Sequence, residues 1–178
     1  MNKSKILVYV IIIICCSSLL GNYLLFKEVQ GYKSAMGSDY KFAVRKTLHE
    51  LEEGTTEQWI KVLKEQNGGI ALEWQRGELS KLSGEFHRMN GMVSSIGMLL
   101  DSVIEDYHLL RVNVNNEAAL GNHKKEIDEA VRVLKDILVH IEEELGKDDL
   151  VWYEELSNVD SGMSHYVWEK YKAYEIEE

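Results

Sequence analysis

The chain has 178 residues, a formal net charge of −10 and no proline. That length allows one domain with a real hydrophobic core, and the acidity argues against nucleic acid or anionic lipid headgroups as partners. Proline breaks helix interiors, so its absence favours long helices joined by short loops.

Residues 1–5 form a short basic tail carrying Lys3 and Lys5. Ile6 to Phe26 then run for 21 residues without a charge. As a helix this run is about 30 Å long, the thickness of a bilayer's hydrocarbon core. The only cysteines, Cys15 and Cys16, lie inside it, so the polar part has neither a disulfide framework nor a cysteine cluster for zinc. A cleaved signal peptide has a shorter apolar core followed by a small-x-small site. Here Leu24-Leu25-Phe26 continue past the poor site at Cys16-Ser17-Ser18. A lipoprotein signal wants a small residue before its cysteine, and Ile14 precedes Cys15. The expectation is an uncleaved single-pass anchor over residues 6–26.

Sidedness is contested within the sequence. Lys3 and Lys5 favour a cytoplasmic N-terminus by the positive-inside rule, while Lys27, Lys33, Lys41, Arg45 and Lys46 follow the anchor and argue the other way. The short tail resembles the charged start of an export signal, and the polar domain is expected on the extracytoplasmic side.

Residues 27–38 form a juxtamembrane segment, which Gly31 and Gly37-Ser38 are expected to loosen. The acidic helical domain is placed at 39–178. Tyr40, Ala43, Val44, Thr47, Leu48 and Leu51 share one face of a helix over 39–53, closed by Gly54. Thr55 stands three residues before Gln58, the spacing of a capping box, and opens a short helix with Trp59, Val62 and Leu63 that Asn67-Gly68-Gly69 stops. Leu79, Leu82, Phe86, Met89, Val93, Ile96, Leu100, Val103, Tyr107, Leu110 and Val114 alternate at spacings of three and four. That heptad seam predicts one long helix over 79–114. Gly77, Gly84 and Gly91 repeat every seven residues off the seam, a pattern that would suit close approach of another backbone. Asn115-Asn116 and Gly121-Asn122 offer a turn, and Ile127, Val131, Leu134, Leu138, Ile141 and Leu145 carry the next helix. Gly146 to Asp149 supply a stop and an N-cap. Trp152, Leu156, Val159, Met163 and Tyr166 mark a last helix with a weak point at Asp160-Ser161-Gly162. The fold class expected is all-α: an N-terminal transmembrane helix followed by an antiparallel three- to four-helix bundle with a long heptad-patterned helix. A homodimer through the seam is the alternative to intramolecular cover.

Candidate sites are sparse. The sequence holds no Gly-x-Ser-x-Gly, no phosphate-cradling glycine loop and no His-Glu-x-x-His. Glu105 and His108 form a single Glu-x-x-His, the spacing that carboxylate-bridged di-metal bundles use in pairs. Asp136, His140 and Glu144 fall at i, i+4 and i+8 on one face, more often plain surface polarity than a site. His87 and His123 have no evident partner set in the sequence. The last helix is rich in rings amid acids, and Trp168 and Tyr171 lie off its core stripe, which makes them the expected partner-binding residues.

In plan the chain resembles the membrane-anchored helical sensing domains of bacterial receptors. The second membrane helix and signalling region of those receptors are not in the sequence, so no residue role is carried over. The functional expectation is a non-enzymatic interaction or sensing module at the bacterial cell envelope. It would contact lipid through residues 6–26 and a protein partner at the membrane, with no cofactor, no catalytic residue and no nucleic acid. The alternatives are a metal-binding or metal-dependent bundle enzyme built on Glu105, His108, Asp136 and His140, and a cytoplasm-facing tethered adaptor.

Overall fold

A computed structural model describes residues 3–65 and 67–177. Met1 and Asn2, the start of the basic tail, lie outside the described residues. Among those described there are seven helices and no strand: α1 (Lys3–Glu52), α2 (Thr56–Leu63), α3 (Gly68–Phe86), α4 (Ser95–Val112), α5 (Glu117–Leu145), α6 (Asp149–Ser157) and α7 (Gly162–Glu177). The all-α bundle behind a long N-terminal apolar helix is the expected class.

The first helix is longer than the sequence suggested. It runs unbroken for 50 residues, about 75 Å at 1.5 Å per residue. From Ile11 to Leu20 every residue is exposed, whereas Tyr40, Ala43, Val44, Thr47, Leu48, Glu50 and Leu51 are buried. The segment 27–38, read as a loosened junction, is helix throughout. Gly37 serves a different purpose there. A Cβ on it would lie 1.7 Å from the Asp149 carbonyl oxygen and 3.0 Å from the Tyr153 amide nitrogen. Only glycine lets α6 lie this close on α1. Tyr40 stacks on Tyr153 with ring centroids 6.5 Å apart, and Lys33 sits over the Tyr153 ring.

Four helices close a ring: the second half of α1 packs on α3 and α5, and α4 packs on both of these. Cross-helix pairs fix the directions. Gln75 donates to the Glu50 carbonyl at 2.9 Å, Arg76 to the Ile104 carbonyl at 3.1 Å, and Arg45 pairs with Glu142 at 2.8 Å while Thr56 donates to Asp128. Each neighbour is therefore antiparallel to the next. α6 runs back along α1, and α7 runs back along α5 through Lys170–Asp136.

The predicted seam is buried, but it does not lie on one helix. Leu79, Leu82, Phe86, Met89, Val93, Ile96, Leu100, Val103, Tyr107 and Leu110 are all core, and Val114 is half-buried. Residues 87–94 leave the helix and turn the chain back, so the single helix over 79–114 is two, α3 and α4, paired with each other. The cause is Asn90-Gly91. The Asn90 side-chain oxygen accepts from the Met92 and Val93 amides at 2.9 and 3.1 Å, a local turn that competes with helix. Its amide nitrogen donates to the Leu156 carbonyl at 2.7 Å and the Ser164 hydroxyl at 2.8 Å, which pins the turn to α6 and α7. Gly77, Gly84 and Gly91 meet nothing within 4 Å, so they mark no close approach.

Several local readings hold. The Thr55–Gln58 capping box forms in both directions. Asn67 closes the α2–α3 turn at φ 69°. Gly146 ends α5 at φ 61°, and Asp148 accepts from the Leu150 amide as N-cap of α6. The weak point at Asp160-Ser161-Gly162 is a true break between α6 and α7. Gly121-Asn122, by contrast, lies within α5, whose N-cap is Asn116.

The Gly37 contact yields a paired test. Gly37→Ala should destabilise the full chain by about 1–3 kcal/mol, because α6 must move off α1. Gly77→Ala, at an open helical position, should stabilise it by up to about 1 kcal/mol. Thermal unfolding in detergent reads both, and equal effects would mean that the close approach at Gly37 carries no energy.

Candidate functional site

The long first helix supplies the most definite functional feature. Among the described residues it is the one helix long and apolar enough to cross a membrane. Tyr9 stands near the start of the apolar run, and Tyr23, Phe26 and Tyr32 stand at its end, all exposed. Rings at both ends suit the two interfaces of a bilayer.

Glu105, His108, Asp136 and His140 are not brought together. α4 and α5 are antiparallel through the turn at 113–116, so Glu105 and His108 lie beside the start of α5. His123 to Asp136 is thirteen residues further along that helix, about 20 Å. Asp136 pairs with Lys170 at 2.5 Å, and the His140 ring lies 4.0 Å from that of Tyr166, so both face α7. Glu105 is exposed, and the buried Nδ1 of His108 has no hydrogen-bond partner among the described residues.

The polar group that the fold does assemble is Asp106, His123 and Glu126. It is the one set of three or more candidate ligand residues gathered among those described. The antiparallel α4–α5 pair brings Asp106 against His123, and the i, i+3 spacing on α5 puts Glu126 on the same face. The His123 Nδ1 stands 3.2 Å from an Asp106 oxygen and 3.2 Å from a Glu126 oxygen. Asp106 and His123 are largely buried, while Glu126 opens to solvent. Burial first, and the Glu126 charge second, push the Asp106 carboxyl up to about 6. Sequence spacing alone could show His123 with Glu126; nothing in it could show Asp106 arriving from another helix.

The expected partner residues are half-buried. Trp168 and Tyr171 stack on each other with centroids 5.6 Å apart, and Lys172 lies over the Trp168 ring. Tyr171 also bonds Glu175 and packs against the core, whereas Trp168 is not part of that packing. The more exposed aromatic is one the sequence reading passed over. Trp74 is 72% exposed beside Ile70 on α3, in a shallow groove edged by Arg111 and Glu73. Glu73 takes Arg111 and both N–H contacts of Arg76, which hold its carboxyl below the usual range. The signal for this face was the stretch of α3 before Leu79, which the seam argument left out.

No described protein family, no curated protein and no solved structure matches the chain.

The raised Asp106 value carries a stability consequence. Between its ordinary value of 3.8 and about 6 the folded protein holds a proton that the unfolded chain releases. This carboxyl therefore favours folding fully below about pH 4 and loses that advantage as pH rises through 6. In chelator at pH 7.5, Asp106→Asn should melt above the parent chain, by about 2–4 °C for each kcal/mol recovered. The gap should close below pH 4, where both side chains are neutral; a gap independent of pH would remove the electrostatic cause.

Proposed function

We propose that the protein is a membrane-anchored, non-enzymatic interaction or sensing module, with its helical bundle on the extracytoplasmic face of a bacterial envelope. The observation that carries this reading is α1 itself: one 50-residue helix, apolar and exposed from Ile11 to Leu20, and part of the bundle core from Tyr40 to Leu51. An exposed apolar rod of that length in water would be strongly unfavourable at roughly 25 cal/mol per Å². Lipid removes that cost. The bundle then begins about ten residues, roughly 15 Å of helix, beyond the apolar run, confined to two dimensions, where a modest contact with another membrane protein gains from effective concentration.

The contact surface in this reading is the α7 face around Trp168 and Tyr171. Trp168 is the cleaner probe because Tyr171 also supports the core. The groove at Ile70 and Trp74 is a second surface, favoured by its greater exposure.

Two measurements test the proposal. The full chain should stay with membranes through an alkaline wash, and protease added to intact spheroplasts should remove the bundle. A freely soluble mature protein, or a bundle protected in spheroplasts and cut only after lysis, would overturn the anchor or the sidedness respectively. A photo-crosslinking amino acid at position 168 should yield one discrete adduct in cells, lost in Tyr171→Ala with helicity unchanged. An adduct at position 74 and none at 168 would move the contact to α3.

A further inference from the structure

We propose that Asp106, His123 and Glu126 form a binding site for a divalent transition-metal ion of the zinc class. This goes beyond tethering, since it assigns the bundle a ligand of its own. The first argument is spacing. Around a tetrahedral ion with nitrogen and oxygen ligands at about 2.0–2.1 Å, neighbouring donor atoms stand about 3.3 Å apart. The His123 Nδ1 already lies 3.2 Å from a donor oxygen on each side, and one ligand atom from each of the three residues falls within 4.8 Å of the others. Two of the three edges of a ligand face are in place, and the third closes by a small rotation of the solvent-open Glu126.

The second argument is charge. Among the described residues no lysine or arginine pairs with Asp106 or Glu126; their one basic partner is His123. Of the two lysines between His123 and Glu126 on α5, Lys124 is taken by Glu57 and Asp128, and Lys125 is exposed and pairs with neither carboxylate among the described residues. Elsewhere on the bundle, most acids that reach across helices meet a lysine or arginine: Asp149 meets Lys41, Glu142 meets Arg45, Glu73 meets Arg111, and Asp136 meets Lys170, while Asp101 has a histidine, His87, to itself. The Asp106–Glu126 pair stands apart from that pattern. Two carboxylates share one imidazole in a half-buried place. A dication bound in place of the histidine proton would neutralise both carboxylates.

The donor set also limits which ion fits. One imidazole nitrogen with two carboxylates suits zinc, or iron(II) and manganese as weaker members of the class. Calcium takes six to eight oxygens and magnesium prefers six, which three side chains do not supply. The exposed side of Glu126 leaves room for a water to complete the shell and a route for the ion to arrive. The ion would clamp α4 to α5 close to the turn that joins them, at the end of the bundle away from the anchor.

The test uses the full chain in detergent micelles after dialysis against chelator, with zinc chloride titrated against a chromophoric zinc chelator. One equivalent should bind per chain. Asp106→Asn and His123→Gln should each lower the affinity by more than the roughly 10–100-fold that losing an outer-shell partner costs. His140→Gln, whose neighbours repeat a ligand-like spacing without the geometry, should leave it unchanged. Melting gives a second readout that keeps the test open if a variant folds poorly. Zinc should raise the parent melting temperature and leave that of Asp106→Asn unmoved, although the variant is the more stable of the two in chelator. A purely structural hydrogen bond predicts no such reversal. No saturable binding, or binding that Asp106→Asn and His123→Gln leave intact, overturns the assignment.

Discussion

Helix α1 combines an exposed apolar stretch with a stretch built into the bundle core, and the rest of the molecule is arranged around that division. Its face from Tyr40 to Leu51 closes the four-helix ring, with Val44 and Thr47 fully buried. The same hydrogen-bonded helix continues unbroken, without proline, through the apolar run. Burying each large apolar side chain is worth roughly 1.5–3 kcal/mol, so the ring cannot release α1 cheaply. A flexible linker would uncouple the bundle from the apolar run; a continuous helix does not. From Phe26 to Gly37 is eleven residues, about 16 Å of helix, and α6 lies against that stretch. The clamp at Gly37 therefore extends the bundle toward the apolar run and stiffens the part of α1 that a linker would otherwise occupy.

The ion pairs play a different role from the core. Most are exposed, and exposed pairs are worth about 0–1 kcal/mol each. Their use is register. Lys41 reaches both the Lys147 carbonyl and Asp149, Arg45 reaches Glu142, and Lys124 reaches Glu57, so α1 and α2 are held at fixed heights along α5 and the start of α6. Buried polar groups do the same work where helices end. Gln75 satisfies the Glu50 carbonyl in the last turn of α1, where no intrahelical donor remains. Ser161 and Ser164 bond the carbonyls at the end of α6 and meet Asn90 from the α3–α4 turn. The lysine, arginine, Gln75 and Asn90 ties join segments far apart in sequence, whereas the two serines close a local turn between α6 and α7.

That distinction explains how far the sequence could be read. Periodicity reports burial, and the seam from Leu79 to Leu110 is buried as its spacing requires. Periodicity does not report whether the helix beneath it is continuous, because an antiparallel hairpin can preserve a three-and-four rhythm across its turn. Asn90-Gly91 is a turn signal inside an unbroken pattern, and periodicity alone passes over it. Glycine was ambiguous in the other direction. Gly37 looked like a loosening residue and is the tightest contact on α1, while Gly77 and Gly84 looked like a packing stripe and face open space. Whether a glycine marks freedom or closeness depends on the neighbour, and the neighbour comes from another helix. Caps behaved better, since Thr55–Gln58 and Asp148–Leu150 are local and their chemistry is complete within four residues. The polar trio was invisible for the reason that hid Gly37: Asp106 and His123 meet only once α4 and α5 are paired.

Anchor and trio lie at opposite ends of the same bundle, and this constrains how one could influence the other. α5 spans the distance, about 33 Å from His123 to Leu145. It touches α4 through Asp106, α1 through Glu142 and α7 through Asp136. A ligand held between α4 and α5 shifts an equilibrium only by the difference in its affinity for two arrangements of those helices. If the α4–α5 contact is the same in both, occupancy stabilises the fold and transmits nothing to the membrane. If the contact opens, the apolar seam must open with it, because Tyr107 and Ile127 are buried within one helical turn of Asp106 and His123. Exposing such side chains costs several kcal/mol, more than a dilute ligand returns. The packing thus favours a ligand that secures the far end of a rigid post over one that bends it, and any signal reaching the bilayer would have to travel as movement of the whole bundle with α1.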